Sequence, residues 1–281
     1  MAITRISSGD FDYIRELVRV HSALLLEPGK EYLVESRLDP VSRRGGFPSC
    51  ALMIERLRSV PFNDLHRQVV EAMTNNETSF FRDAKMFAML KQAIVPEIVS
   101  RRAAQRMINI WSAACSSGQE PHSIAMLLRE FRPSLEGWKT TIVASDMSLE
   151  MLARARSGIY SQFEVNRGLP ASLLVKYFEQ DRATWEISPD VRRMVDYREI
   201  NLIQPWPTLI PMDVILLRNI MIYLDVETKR SILSRVARAL APGGYLILGG
   251  AETTNHLHEA FEPVSLAGGL CFRLRSQHPV S

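Results

Sequence analysis

The chain has 281 residues, 46% hydrophobic and 23% charged, which suits one large globular domain or an ordinary domain with a small one. No stretch approaches the roughly 20 apolar residues of a membrane span, and Met1–Arg5 begins no apolar leader, so neither membrane insertion nor secretion is expected and a cytoplasmic location is. Cys50, Cys115 and Cys271 are too scattered for a disulfide framework or a metal knuckle, and a net charge of +3 is too small to argue for nucleic acid.

The first hundred residues read as helices. Phe11, Ile14, Leu17 and Val18 follow helical spacing after Asp10, a candidate N-cap. Leu65, Val69, Ala72 and Met73 repeat the pattern after Asn63-Asp64, and Asp83 is placed to cap Met86, Leu90 and Ile94. Gly45-Gly46 and Pro61 break the segments. The character changes near Met107. Met107–Trp111 predicts a buried strand, Ser112–Gly118 a small-residue turn, and Pro121–Phe131 a helix. Thr140–Ala144 predicts a second strand ending at Ser145-Asp146, followed by a helix through Leu149, Leu152 and Ala153. Asp213–Leu217 is a third strand and Thr228–Leu240 a helix, after which Pro242-Gly243-Gly244 turns into Tyr245–Leu248.

Alternating strand and helix implies a parallel sheet covered on both faces and doubly wound. The domain boundary is expected between Glu97 and Gln105, giving a helical domain over 1–98 and a sheet domain over 99–281. Ala183–Ile187 and Val191–Arg198, around Ser188-Pro189-Asp190, read as short antiparallel strands of an inserted β-subdomain over about 177–200.

Ligands of such sheets bind at the carboxyl ends of the strands. Three segments fall there. The loop Ser112–Glu120 has small side chains that admit a ligand to its backbone, but it lacks the GxGxxG pyrophosphate fingerprint. Glu120 opens the following helix and repels phosphate while attracting an ammonium group, which favours S-adenosylmethionine; an ordinary strand-to-helix turn has the same spacing. Asp146 suits a ribose diol, or equally an N-cap. Arg218-Asn219 closes the third strand and faces either a ligand or a surface ion pair. Asn75–Asp83 sets two amides, two hydroxyls and an arginine around Phe80-Phe81, as a site or as a polar interhelical turn.

These residues resemble the bacterial chemotaxis receptor glutamate methyltransferases, the CheR family. The matching motifs are Thr74–Arg82, Trp111–Ala125 around Gly118-Gln119-Glu120-Pro121, Ala144-Ser145-Asp146, Ala153–Tyr160, Asn166-Arg167-Gly168, Arg218–Tyr223 and Pro242-Gly243-Gly244. The likeness spans roughly Phe11 to Arg275 and departs at Gln119 and His122, where the family often has Glu and Tyr. It implies an α/β fold: a Rossmann-like S-adenosylmethionine methyltransferase domain with a small inserted antiparallel β-subdomain, preceded by an all-α N-terminal domain. By the same resemblance, Asn76, Thr78, Arg82, Glu120, Asp146, Asn201, Leu202, Arg218 and Asn219 line the site of S-adenosylmethionine and its product S-adenosylhomocysteine, with Arg82 and Tyr223 nearest the transferred methyl.

The family's substrate is a glutamate on the cytoplasmic helical bundle of a methyl-accepting chemoreceptor, converted to a γ-methyl ester. Arg37, Arg43 and Arg44 are the expected docking residues for that acidic region, Arg37 and Arg44 lying two helical turns apart on one face. Asp39-Pro40 either kinks this helix or starts a new one. Some family members also bind a C-terminal receptor pentapeptide through the β-subdomain, with a longer glycine-rich loop. Glu179–Trp185 is short and has no glycine, so no such tether is expected. No metal is expected, since His256 and His258 share no helical face, and Cys115 is expected to be a packing residue. A monomer that does not bind nucleic acid completes the expectation. The rivals are a nucleic-acid methyltransferase, which needs a stronger basic patch, a dehydrogenase, disfavoured without GxGxxG, and a catalytically degenerate S-adenosylmethionine-binding or receptor-array protein. Intact Asn76, Arg82, Asp146 and Asn219 argue against the last.

Overall fold

A computed structural model describes residues 6–275. Met1–Arg5, on which the expectation about a leader rests, lie outside them. No helix among the described residues is long and apolar enough to cross a membrane. The chain forms two compact units, Met1–Asn75 with Tyr223–Thr228, and Asn76–Ile222 with Lys229–Ser281.

The first unit is helical: α1 (Ser8–Ser22), α2 (Glu31–Arg44), α3 (Cys50–Arg58) and α4 (Asp64–Met73). Its apolar stripes meet in a core that includes Ile14, Val18, Val34, Leu38, Ile54 and Val69, each fully buried. The N-cap of α1 is Ser7, not Asp10. Ser7 Oγ accepts from Asp10 N at 3.1 Å and Asp10 Oδ2 accepts from Ser7 N at 3.2 Å, a reciprocal box in which the acid is the third helical residue. Asn63 caps α4 as expected. Pro40 lies within α2 and starts no new helix. Tyr223–Thr228 joins this unit, Leu25 N donating to Tyr223 O at 3.2 Å.

The second unit begins with α5 (Ala84–Met89), capped by Asp83, which runs through a π-helical stretch, Leu90–Ile94, into α6 (Val95–Arg101). These helices bury Met86, Leu90, Ile94 and Ile98 in the same core as Ile108, Ile110 and Val214 of the sheet. The compact units therefore divide at Asn75/Asn76, whereas the sequence reading divides the chain at 98/99. The sheet comprises β1 (Met107–Ala113), β2 (Lys139–Asp146), a strand at Val195–Glu199, another at Met212–Leu217, a third at Leu240–Leu248 and a hairpin at Phe261–Leu266 and Gly269–Leu274. In chain order, β3 (Ile159–Ser161), β4 (Phe178–Asp181) and β5 (Thr184–Ile187) form a separate small sheet, so the strands above are β6, β7, β8, β9 and β10. The large sheet runs β6-β2-β1-β7-β8-β10-β9 and the small one β3-β5-β4. The helices α7 (Gln119–Glu130), α8 (Leu149–Ser157), α9 (Gln162–Val165), α10 (Ala171–Tyr177), α11 (Pro189–Arg192) and α12 (Val226–Ala239) complete the order.

The inserted subdomain is built differently from the expectation. Val191–Arg198 is not one of its antiparallel strands: α11 ends at Arg192, and β6 joins the large sheet parallel to β2, pairing Ile142 with Val195 and Asp146 with Glu199. The third strand of the small sheet is β3, whose Tyr160 pairs with Trp185. Burial explains the exchange, since Val195 and Tyr197 pack on Cys115, Ala144 and Leu152.

Candidate active site

Parallel pairing brings the carboxyl ends of four strands to one edge. Ala113 of β1 is level with Ser145 of β2 and Leu217 of β7, and Asp146 is level with Glu199 of β6. The residues just beyond these ends converge, as the strand-end rule for such sheets requires.

The loop after β1 carries left-handed backbone at Ala114 (φ 54°), Ser116 (φ 51°) and Gly118 (φ 92°). Non-glycine residues persist in this region only where their surroundings fix them. Asp146 is one such fixture: its Oδ2 accepts from Ser116 N at 2.8 Å and its Oδ1 from Ser148 N at 2.9 Å. Cys115 N donates to Ser145 O at 2.8 Å. Gly118 is required on two counts, its positive φ and the closeness of α8, where a Cβ would lie 2.7 Å from Ala155 Cβ. Asp146 is thus buried and hydrogen-bonded to the loop, and α8 is capped by Ser148 instead. Ile200 N donates to Asp146 O at 3.1 Å, which sets Asn201 and Leu202 beside it. Asn201 turns the chain by accepting from Ile203 N, and Leu202 is buried.

Glu120 lies in the first turn of α7. Its Oε1 accepts from Ser112 Oγ and its Oε2 from Arg218 Nη1, both at 2.8 Å. Arg218 side-chain exposure is 4%, and Nη2 also reaches Asp83 Oδ2 at 3.4 Å. This is a buried ion pair, not the surface pair that was the alternative for Arg218. Arg218 Nε is buried with no partner among the described residues. Asn219 takes φ 58°, and the sequence reading missed the reason. Glu252, also buried, accepts from Asn219 N (2.8 Å), Met221 N (2.8 Å) and Gly249 N (2.7 Å), and so fixes the turn after β7. The available signal was position: Glu252 follows the end of β8 as Asp146 ends β2.

The segment Asn76–Asp83 is pinned within the same unit. Asn76 O accepts from Ser116 Oγ at 2.7 Å, tying it to the cofactor-type loop, and Phe81 N donates to Ser123 Oγ at 3.0 Å. Phe80 is fully buried, edge-on to Tyr160 at 4.9 Å. Gly168 approaches so closely that a Cβ there would stand 2.2 Å from Phe80 O, which accounts for the glycine of Asn166-Arg167-Gly168. Arg167 pairs with Glu77 at 2.7 Å, and Arg82 Nη1 donates to Glu77 O at 2.9 Å. Thr78 is half-buried on this segment.

The remaining expected residues fall in the helical unit. Tyr223 Oη accepts from Asn75 Nδ2 at 2.7 Å, leaving its own hydrogen to donate elsewhere. Arg37 does not present its whole guanidinium to solvent: Nη1 donates to Met73 O at 2.6 Å and Thr74 O at 2.8 Å, closing the C-terminus of α4. Burial pushes its pKa down. Arg43 pairs with Asp39 at 2.8 Å, and Arg44 is exposed. Cys115 is buried, and burial, with Asp146 and Glu120 nearby, holds its thiol well above the usual range, as suits a packing residue. Among the described residues no cluster of three potential metal ligands occurs.

A seven-stranded, mostly parallel sheet with an acid in the first turn after β1, an acid closing β2 and no glycine fingerprint defines an S-adenosylmethionine-dependent methyltransferase. The site offers groups of the kind that ligand needs: the carboxylates of Glu120 and Asp146, and a buried Arg218 Nε–H with no partner among the described residues. Family profiles agree. One described as the CheR methyltransferase all-alpha domain matches residues 9–74, and one described as the CheR methyltransferase S-adenosylmethionine-binding domain matches 76–269. The chain belongs to the CheR methyltransferase family, by enzyme class protein-glutamate O-methyltransferases of chemotaxis. It is similar to chemotaxis protein methyltransferases of Pseudomonas putida (37% identical over 270 residues, 95% of this chain and 98% of the relative) and Pseudomonas aeruginosa (37% over 273 residues, 96% and 99%). A relative from Vibrio cholerae is 34% identical over 279 residues, covering 97% of this chain and all of the other.

Proposed function

We propose that the strand-end cluster holds S-adenosylmethionine through Asn76, Thr78, Glu120, Asp146, Asn201, Leu202, Arg218 and Asn219, and that Arg82 and Tyr223 serve the methyl acceptor, a glutamate of a chemoreceptor's cytoplasmic helical bundle. The carrying observation is the loop Ala114–Gly118, held in left-handed backbone by Asp146 beside the buried Glu120–Arg218 pair. When bound, S-adenosylmethionine supplies an electrophilic methyl group on a sulfonium.

A glutamate side chain, with an ordinary pKa of about 4.3, is already ionised at neutral pH, so no residue is needed as a general base. Arg82 orients the carboxylate, bidentately where its fork allows. Tyr223, its oxygen already accepting from Asn75, donates one hydrogen bond or walls the methyl pocket. Because the carboxylate loses its charge on esterification, side chains that exclude water favour the step. Receptor docking falls to the helical unit, with Arg44 the most available of the three arginines and Arg43 next. The turn between β4 and β5 has only Arg182-Ala183 and no glycine, which supports a protein without the pentapeptide tether. A cytoplasmic monomer acting on protein and not on nucleic acid completes the reading.

The test is transfer of labelled methyl from S-adenosylmethionine to the host's receptors. Base-labile label on receptor, lost in Arg82→Ala while the variant stays folded, is expected. Base-stable label, label on RNA, or wild-type single-turnover rates in Arg82→Ala would overturn it.

A further inference from the structure

Behind the loop after β1 lies a chain of buried polar groups that the reaction does not use. Tyr160 Oη donates to Ser117 O at 2.9 Å. His122 Nδ1 lies 2.8 Å from the same Tyr160 oxygen, and His122 Nε2 lies 2.8 Å from Tyr197 Oη. His122 is fully buried and Tyr160 is 1% exposed.

Proton counting fixes the roles. A carbonyl only accepts, so the single Tyr160 hydrogen goes to Ser117. Tyr160 oxygen must then accept from His122, which puts the ring hydrogen on Nδ1. The neutral ring has a bare Nε2, which accepts from Tyr197. We infer that His122 is a positioning residue for the cofactor loop, a neutral Nδ1–H imidazole that, through Tyr160, fixes the carbonyl of Ser117 and with it the left-handed backbone of Ser116 and Gly118. The loop is otherwise held by Asp146 on Ser116 N, by Ser145 O on Cys115 N and by Asn76 O on Ser116 Oγ. An imidazolium would instead donate from Nε2 to the Tyr197 oxygen, which reverses that bond and turns the Tyr197 hydrogen away from the ring. The charged and titratable groups facing the ring are Tyr160 of β3, Tyr197 of β6 and Arg192 of α11, whose positive charge also disfavours a second ring proton.

The inference rests on the loop's assignment to S-adenosylmethionine, and the test separates the two. In the full chain, S-adenosylhomocysteine affinity and thermal unfolding are measured for His122→Phe, His122→Gln and Tyr160→Phe, with Asp146→Ala as control. His122→Phe and Tyr160→Phe are each expected to lose about three- to tenfold in affinity, the range for one hydrogen bond. KM for S-adenosylmethionine rises and kcat is kept, and His122→Gln, which retains a donor and an acceptor, recovers part of the loss. Ring nitrogen shifts in the wild type are expected to show Nδ1 protonated and Nε2 bare. Tyr160→Phe keeps the ring, so it reports even if His122→Phe fails to fold. Lower melting temperatures with unchanged affinity, or a ring protonated on Nε2, overturn the inference. If Asp146→Ala leaves affinity unchanged as well, the fault lies in the loop's assignment.

Discussion

Two arginine–carboxylate pairs in this protein have the same length and opposite settings. Arg218 meets Glu120 at 2.8 Å with 4% and 12% of the side chains exposed, at the strand ends of the sheet unit. Arg43 meets Asp39 at 2.8 Å with 78% and 50% exposed, on α2 of the helical unit. Distance therefore says nothing about importance. In the first pair each partner has been withdrawn from water and depends on the other. In the second, water screens both charges and would solvate either one alone.

The largest expected effect is on the buried pair. Arg218→Ala strands Glu120 in a site from which water has been removed, and should destabilise the protein by roughly 3–5 kcal/mol. Urea unfolding of the two single variants and the double variant Arg218→Ala/Glu120→Gln checks this. A loss below about 1 kcal/mol for Arg218→Ala, the ceiling for exposed pairs, would put the two pairs in one class.

Asp146 sits one strand away and should act on ligand binding more than on folding. Asp146→Ala leaves Ser116 N and Ser148 N without their acceptor and is expected to weaken S-adenosylhomocysteine binding by about 1–3 kcal/mol. Unchanged calorimetric affinity removes Asp146 from the site.

Burial also gives the sheet unit a pH dependence. His122 titrates near 6.5 in an unfolded chain, and burial pushes it down to about 3 in the folded one. Between those values the unfolded state binds more protons. The contribution is complete above about pH 6.5 and is lost as pH falls towards 3, with a slope of at most ~1.4 kcal/mol per pH unit. Urea unfolding at pH 6.5, 5.5 and 5 should show a shallower decline in His122→Phe than in wild type, and equal slopes would mean the ring is protonated in the native state.

The same contrast explains what could be read from the sequence. Strand ends were legible because alternating strands and helices oblige the ends to converge, so Glu120, Asp146 and Arg218 were found by position alone. Glu252 obeys the same rule at the end of β8, but its partners are backbone N–H groups, which carry no sequence signature. His122 was visible only as a departure from the family's usual tyrosine, because its partners Tyr160 and Tyr197 come from strands of different sheets. The three-residue β3 is too short for periodicity to reveal. On α2, spacing told which face carries Arg37 and Arg44, but not that the chain end of α4 would take up Arg37.

The helical face supplies the smallest effects, and they divide its three arginines. Arg37→Ala uncovers the carbonyls of Met73 and Thr74 and should cost about 1 kcal/mol of stability, read as a lower urea midpoint. Arg43→Ala breaks an exposed i,i+4 pair and should change stability by no more than about 0.5 kcal/mol. Arg44→Glu should leave unfolding untouched, since its side chain is exposed. If the face attracts an acidic receptor bundle, Arg44→Glu and Arg43→Glu should still raise the receptor KM and flatten its dependence on salt, because a like charge now meets the substrate. KM for S-adenosylmethionine should not move in either, which separates docking from the cofactor site. A receptor KM and salt dependence equal to those of the wild type in the Arg43→Glu/Arg44→Glu double variant would make this face solvated surface and nothing more, and docking would then have to be sought elsewhere on the molecule.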